Sequence, residues 1–99
     1  MIVVSGVFQM PVESVEDAKA AMRAMMKETL KEPGCIVYQF TQSIDDPGQF
    51  RVYEEWESHA HLDAHAATGH MAVFRAALSA LGDIKRDVKK IEAGAVTAL

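Results

Sequence analysis

The sequence predicts an α+β fold, one four-stranded antiparallel sheet with helices packed on a single face, and three observations carry that reading. Short apolar or alternating runs near 2–9, 35–42, 50–56 and 84–93 read as strands. Longer runs at 15–31 and 58–81, with apolar residues recurring at three and four, read as helices. Their order is βαββαβ, the ferredoxin-like plan. A chain of 99 residues makes one domain, because it hides only about two thirds of its unfolded surface and cannot divide that between two cores. The core is expected over about 2–91, with 93–99 an unplaced C-terminal tail.

Val3, Val4 and Val7 favour the first strand through their branched β-carbons. Met10 and Pro11 interrupt it, and Ser14 with Asp17 three residues on gives an N-cap signature for a helix starting near 15. Val15, Ala18, Met22, Met25, Met26, Thr29 and Leu30 draw one apolar stripe down that helix to Lys31, where "EPG" ends it. Helical spacing assigns its methionines to the core. In "CIVYQFTQ" Ile36, Tyr38 and Phe40 share a face opposite Cys35, Val37, Gln39 and Thr41. "DDPGQ" turns the chain into "FRVYEEW", where Phe50, Val52, Glu54 and Trp56 share one side and Arg51, Tyr53 and Glu55 the other. Both sides carry bulky groups, so something apolar should also cover the second sheet face, and a homodimer would do so. Ser58 caps a short helix that Gly69 stops; a second runs from about His70 to Leu81 and ends at Gly82. "IKRDVKKIEA" is a last, more polar strand.

The formal charge of −4 argues against a nucleic-acid footprint, which needs clustered cations. "KRDVKK" reads as the solvated side of a strand. No run approaches the ~20 apolar residues of a membrane span, and no secretory signal opens the chain, so a cytoplasmic location is expected. The single cysteine, Cys35, has no internal partner and reads as a small buried hydrophobe.

Three of the four histidines fall within "HLDAHAATGH". His61 and His65 are neighbours at i, i+4, but no third ligand stands nearby in sequence, so no metal is expected. His59 and His61 should be solvated. His65 shares a side with Leu62 and Ala66, and His70 with Phe74, Ala77, Leu78 and Leu81, so both should face inward. If they converge with Glu54, Trp56 and Phe50, the result is an apolar slot holding a few polar groups, the usual character of a small-molecule site. The plain alternatives are a satisfied core histidine and an ion pair between Glu54 and Arg23, Arg75 or Arg86.

The segments "EPGCIVYQF", "DDPGQFRVYEEWES" and "LDAHAATGHMAVF" carry in order Pro33, Gly34, Cys35, Tyr38, Phe50, Tyr53, Glu54, Trp56, Leu62, His65, His70 and Phe74. Over Ile2 to Ile91 this resembles the antibiotic biosynthesis monooxygenase (ABM) family, small dimeric α+β barrels that include quinol monooxygenases. The resemblance implies oxygenation of a small aromatic hydroxyl compound or quinol with no cofactor: the protein deprotonates the substrate and holds it flat and dry. It implies His65 or His70 as proton acceptor, Glu54 as orienting acceptor, and Trp56, Phe74, Phe50, Leu62 and Leu78 as the substrate-binding walls. A competing reading is a non-catalytic dimeric barrel for a small ligand or a stress response. Haem binding or degradation stands third, because the related haem-degrading triad needs an asparagine and this chain has none.

Overall fold

The computed structural model describes all 99 residues. In chain order the elements are β1 (Ile2–Gln9), a 3-10 turn (Val12–Ser14), α1 (Val15–Thr29), β2 (Cys35–Gln42), β3 (Gln49–Trp56), α2 (His59–Ala66), α3 (Gly69–Ser79) and β4 (Lys85–Glu92). The strands form one antiparallel sheet in the order β2-β3-β1-β4. This is the predicted ferredoxin-like arrangement, with β1 paired to both β3 and β4.

Register decides which side chains meet the helices. Opposed residues share a face, and the pairs Val4↔Glu54, Gly6↔Val52 and Phe8↔Phe50 continue across β1 as Val4↔Lys90, Gly6↔Val88 and Phe8↔Arg86. A β-bulge between Cys35 and Val37 corrects the expected faces of β2: Cys35 lies opposite Trp56 and Tyr38 opposite Glu54, while Ile36 is the extra residue and stands out into solvent. Gly6 lies where β4 comes close; a Cβ there would run into the backbone at Asp87 and Val88.

The core joins the inner row of β1 and β3 to Val15, Ala18, Met22 and Met25 of α1 and Phe74 of α3. Each large side chain sealed there contributes about 1.5–3 kcal/mol over exposure, and Trp56 is completely sealed. The methionines Met22 and Met25 are core, as their spacing predicts.

Several boundaries differ from expectation. The 3-10 turn leaves Ser14 with helical dihedrals, so its hydroxyl does not cap α1; it donates instead to the Leu81 carbonyl at 3.1 Å, tying α1 to the end of α3. Helix α1 ends at Thr29, two residues before Lys31: Leu30 N–H still makes the α-helical bond to the Met26 carbonyl, and Lys31 N–H tightens the turn onto the Glu28 carbonyl. Ser58 does cap α2, accepting from His61 N–H at 3.3 Å. Gly69 does not stop that helix but opens α3, which Thr68 caps by accepting from Met71 N–H at 3.3 Å. Beyond β4, residues 93–99 form no helix or strand.

Candidate functional site

Between the sheet and the α2–α3 pair lies a cavity of about 420 Å³, within the range of small-molecule sites. Val4 and Phe8 of β1, Tyr38 and Phe40 of β2, Val52 and Glu54 of β3, Leu62 and His65 of α2, and Phe74 and Leu78 of α3 line it. Arg75, Arg86, Val88 and Lys90 complete the wall at its exposed side. Phe40 binds the aromatic lining together, with ring centroids 5.8 Å from Phe8, 5.7 Å from Tyr38 and 5.6 Å from Phe74.

Five of the eight residues predicted for the site therefore line one chamber: Glu54, His65, Leu62, Phe74 and Leu78. Trp56 lies one layer behind, its ring 4.8 Å from that of His65. It supports the histidine rather than forming a wall. Phe50 is a correction, since it faces α1 and lines a separate small hollow with Lys19, Met22 and Met26. His70 is also set back from the chamber, with its ring 6.2 Å from that of His65. It has a different partner.

That partner is Glu32, which the sequence reading passed over as part of a helix stop. Successive turns, Glu32 N–H to the Thr29 carbonyl and Cys35 N–H to the Glu32 carbonyl, lead out of α1 and swing this side chain beneath the α2–α3 junction. One oxygen, Oε2, lies 2.8 Å from His65 Nδ1 and 2.7 Å from His70 Nε2. A carboxylate can only accept, so the proton of His65 sits on Nδ1 and its Nε2 carries the lone pair. Nε2 is fully buried and has no hydrogen-bond partner. Burial lowers the His65 pKa, outweighing the hydrogen bond and charge of Glu32 that raise it. The ring is thus neutral and held in one tautomer, the state a proton acceptor needs.

Glu54 is not the residue that orients the histidine. Its Oε1 accepts from Trp56 Nε1 at 2.9 Å, and no arginine forms an ion pair with it. Burial pushes its pKa up to about 7, against the Trp56 hydrogen bond and Arg86, which lower it. A second proton-transfer group near neutrality therefore stands in the same wall. Burial also drives the Tyr38 hydroxyl far above its ordinary range, and raises the Cys35 thiol to about 11. Neither is primed to act as an anion.

The expected solvated histidines have partners as well. His61 Nδ1 is 2.8 Å from Ser58 Oγ, and its ring fills the space beside Gly34; His59 Nε2 meets Glu92 at 2.8 Å. For a metal, the available ligand set is Glu32, His65 and His70, whose atoms lie within 4.8 Å of one another, rather than the His61–His65 pair. Spacings of 2.7 and 2.8 Å to one shared oxygen are shorter than the roughly 3.3 Å between ligands on a tetrahedral ion with bonds near 2.0 Å. They are hydrogen bonds.

A family model described as antibiotic biosynthesis monooxygenase matches residues 1–77. A Synechocystis protein of uncharacterised role is 30% identical over 73 residues, 74% of this chain, which spans half the length of that relative. Among solved structures, an antibiotic biosynthesis monooxygenase is 27% identical with TM-score 0.87, covering 96% of this chain and 100% of the other. A conserved Methanosarcina mazei protein is 28% identical with TM-score 0.87, covering 94% and 92%. A Deinococcus radiodurans structure shares the fold at TM-score 0.93, with 21% identity, covering 100% and 98%.

Proposed function

The chain belongs to the antibiotic biosynthesis monooxygenase family, and from that premise we propose that it oxygenates a small aromatic hydroxyl compound or quinol with O₂, without a cofactor. The observation that carries this reading is the tethered, unpartnered His65 on the wall of an apolar chamber. A phenol seated between Phe8, Phe40 and Phe74 would give its proton to His65 Nε2, as the carboxylate of Glu32 stabilises the imidazolium that forms. The electron-rich phenolate then reduces O₂ by one electron, and the radical pair recombines as a carbon-bound peroxide. Loss of water leaves a carbonyl, so the ring gains one oxygen atom and two hydrogens depart with the other as water. Glu54, able to hold or release a proton near pH 7, supplies the proton for the departing water. A dry chamber protects the intermediate from bulk solvent.

The second sheet face supports a homodimer. Val3, Val7, Val37 and Tyr53 stand there half exposed, a mixed apolar surface suited to a second copy. Sedimentation should give a species at about twice 10.9 kDa.

Oxygen uptake by metal-free protein with a panel of anthrones, naphthols and quinols tests the chemistry. Turnover above buffer that falls by about a hundredfold or more in His65→Ala fits a general base. Turnover undiminished in His65→Ala would remove His65 as the base, and binding without oxygen uptake would leave a ligand-binding module instead.

A further inference from the structure

The chain carries 10 basic and 14 acidic side chains, yet its main cavity has the opposite balance. Arg75, Arg86, Lys89 and Lys90 line it, and Glu54 is the sole acidic residue among the lining groups. Lys89 belongs to the other sheet face and pairs with Asp87 at 3.9 Å, so it drops out. The other three share in no ion pair.

Their placement is as informative as their sign. Arg86 and Lys90 occupy the inner row of β4, opposite Phe8 and Val4, and Arg75 approaches from α3. The Arg86 guanidinium lies 5.7 Å from the Phe8 ring centroid, and Arg75 is anchored by one nitrogen to the Ala66 carbonyl at 3.3 Å. All three are exposed, whereas His65, Tyr38 and Glu54 are buried. The chamber therefore runs from a buried proton-transfer end to a cationic mouth, with aromatic walls between. Three like charges around one opening, none held in an ion pair, favour an anion placed among them.

We propose that the ligand of this cavity carries an acidic group, held at the mouth by Arg75, Arg86 and Lys90 while its hydroxyl-bearing ring lies at the buried end. This rests on the reading of the cavity as the substrate site and adds the class of substrate: a hydroxyarene carboxylate rather than a neutral phenol or quinol. Guanidinium and carboxylate match as paired donors and acceptors, and their hydrogen bonds are charge-assisted.

The test compares 4-hydroxy-1-naphthoate with its methyl ester, which keeps the ring and hydroxyl but removes the charge. Dissociation constants are measured without oxygen, by quenching or calorimetry, in wild type, in Arg86→Gln/Lys90→Gln and in a charge-matched control, Lys27→Gln/Lys31→Gln. We expect the acid to bind wild type and control about tenfold or more tightly than the ester, the advantage shrinking as salt is raised. In Arg86→Gln/Lys90→Gln the ratio should fall to near one. Equal affinities in wild type, a ratio indifferent to salt or to the substitutions, or binding of neither compound would overturn the proposal. Because no turnover is involved, tight binding of the acid without oxygen uptake would sink the monooxygenase reading and leave this one standing.

Discussion

Replacing Glu54 by Gln should stabilise the protein at alkaline pH and leave it nearly unchanged in acid. The carboxyl is buried, and its pKa stands at about 7 where an ordinary value is 4.5. A folded-state pKa above the unfolded one gives stability that is complete below the unfolded value and is lost as pH rises through the folded value. The difference of about 2.5 units, at 1.36 kcal/mol each, comes to about 3 kcal/mol. Glutamine has nearly the same shape and keeps a carbonyl to accept from Trp56 Nε1, so it removes the charge and little else. Urea unfolding of both proteins from about pH 4.5 to about pH 8.5 measures the gap, with equal m-values as the check that the unfolded states match. The variant should gain on wild type through neutrality and lead by about 3 kcal/mol at the alkaline end. His65 titrates in the opposite sense, but it is present in both proteins and cancels. A gap that varies by less than about 1 kcal/mol across the range would refute the reasoning.

Three further outcomes follow from the same geometry. Glu32→Ala should cost about 3 kcal/mol in urea unfolding, since it strands the buried His65 Nδ1–H, while Glu32→Gln, which can still accept, should cost less. Trp56→Phe removes the hydrogen bond that holds the Glu54 pKa down, so carboxyl ¹³C titration should place it above the wild-type value of about 7. Gly34→Ala should lose more than about 1 kcal/mol of stability, because Gly34 has φ +78° and a Cβ would meet the His61 ring. Gly94→Ala, with open space around it, should be near neutral when both glycine variants are compared by urea unfolding.

Strand and helix periodicity made most of the fold legible. Alternation in β3 placed Glu54 and Trp56 on the inner row, and helical spacing put His65 beside Leu62 and Phe74 beside Leu78. What failed was local. A β-bulge adds one residue without disturbing the surrounding pattern, so Ile36 read as sharing a face with Tyr38 and Phe40. Ser14 had the identity of a cap, but the preceding 3-10 turn set dihedrals that aim its hydroxyl elsewhere. At the site, Glu32 was invisible because its partners lie 33 and 38 residues away; "EPG" announces a turn and says nothing of where its first side chain will point. The mouth was missed, since "KRDVKK" read as the solvated side of a strand although Arg86, Val88 and Lys90 line the cavity. Only the register against Phe8, Gly6 and Val4 shows that this alternation lies on the helix-bearing side of the sheet, at the rim of the cavity.

The most direct measurement is the ¹⁵N resonance pair of the His65 ring, followed through pH and through addition of 4-hydroxy-1-naphthoate. With Glu32 holding the ring, Nδ1 should carry the proton and Nε2 should remain bare at neutral pH, with protonation delayed to a pH below the ordinary histidine range. Ligand should then shift Nε2 far more than Nδ1. A proton found on Nε2 in the free protein, or two nitrogens indifferent to ligand at saturation, would contradict a base poised at this cavity.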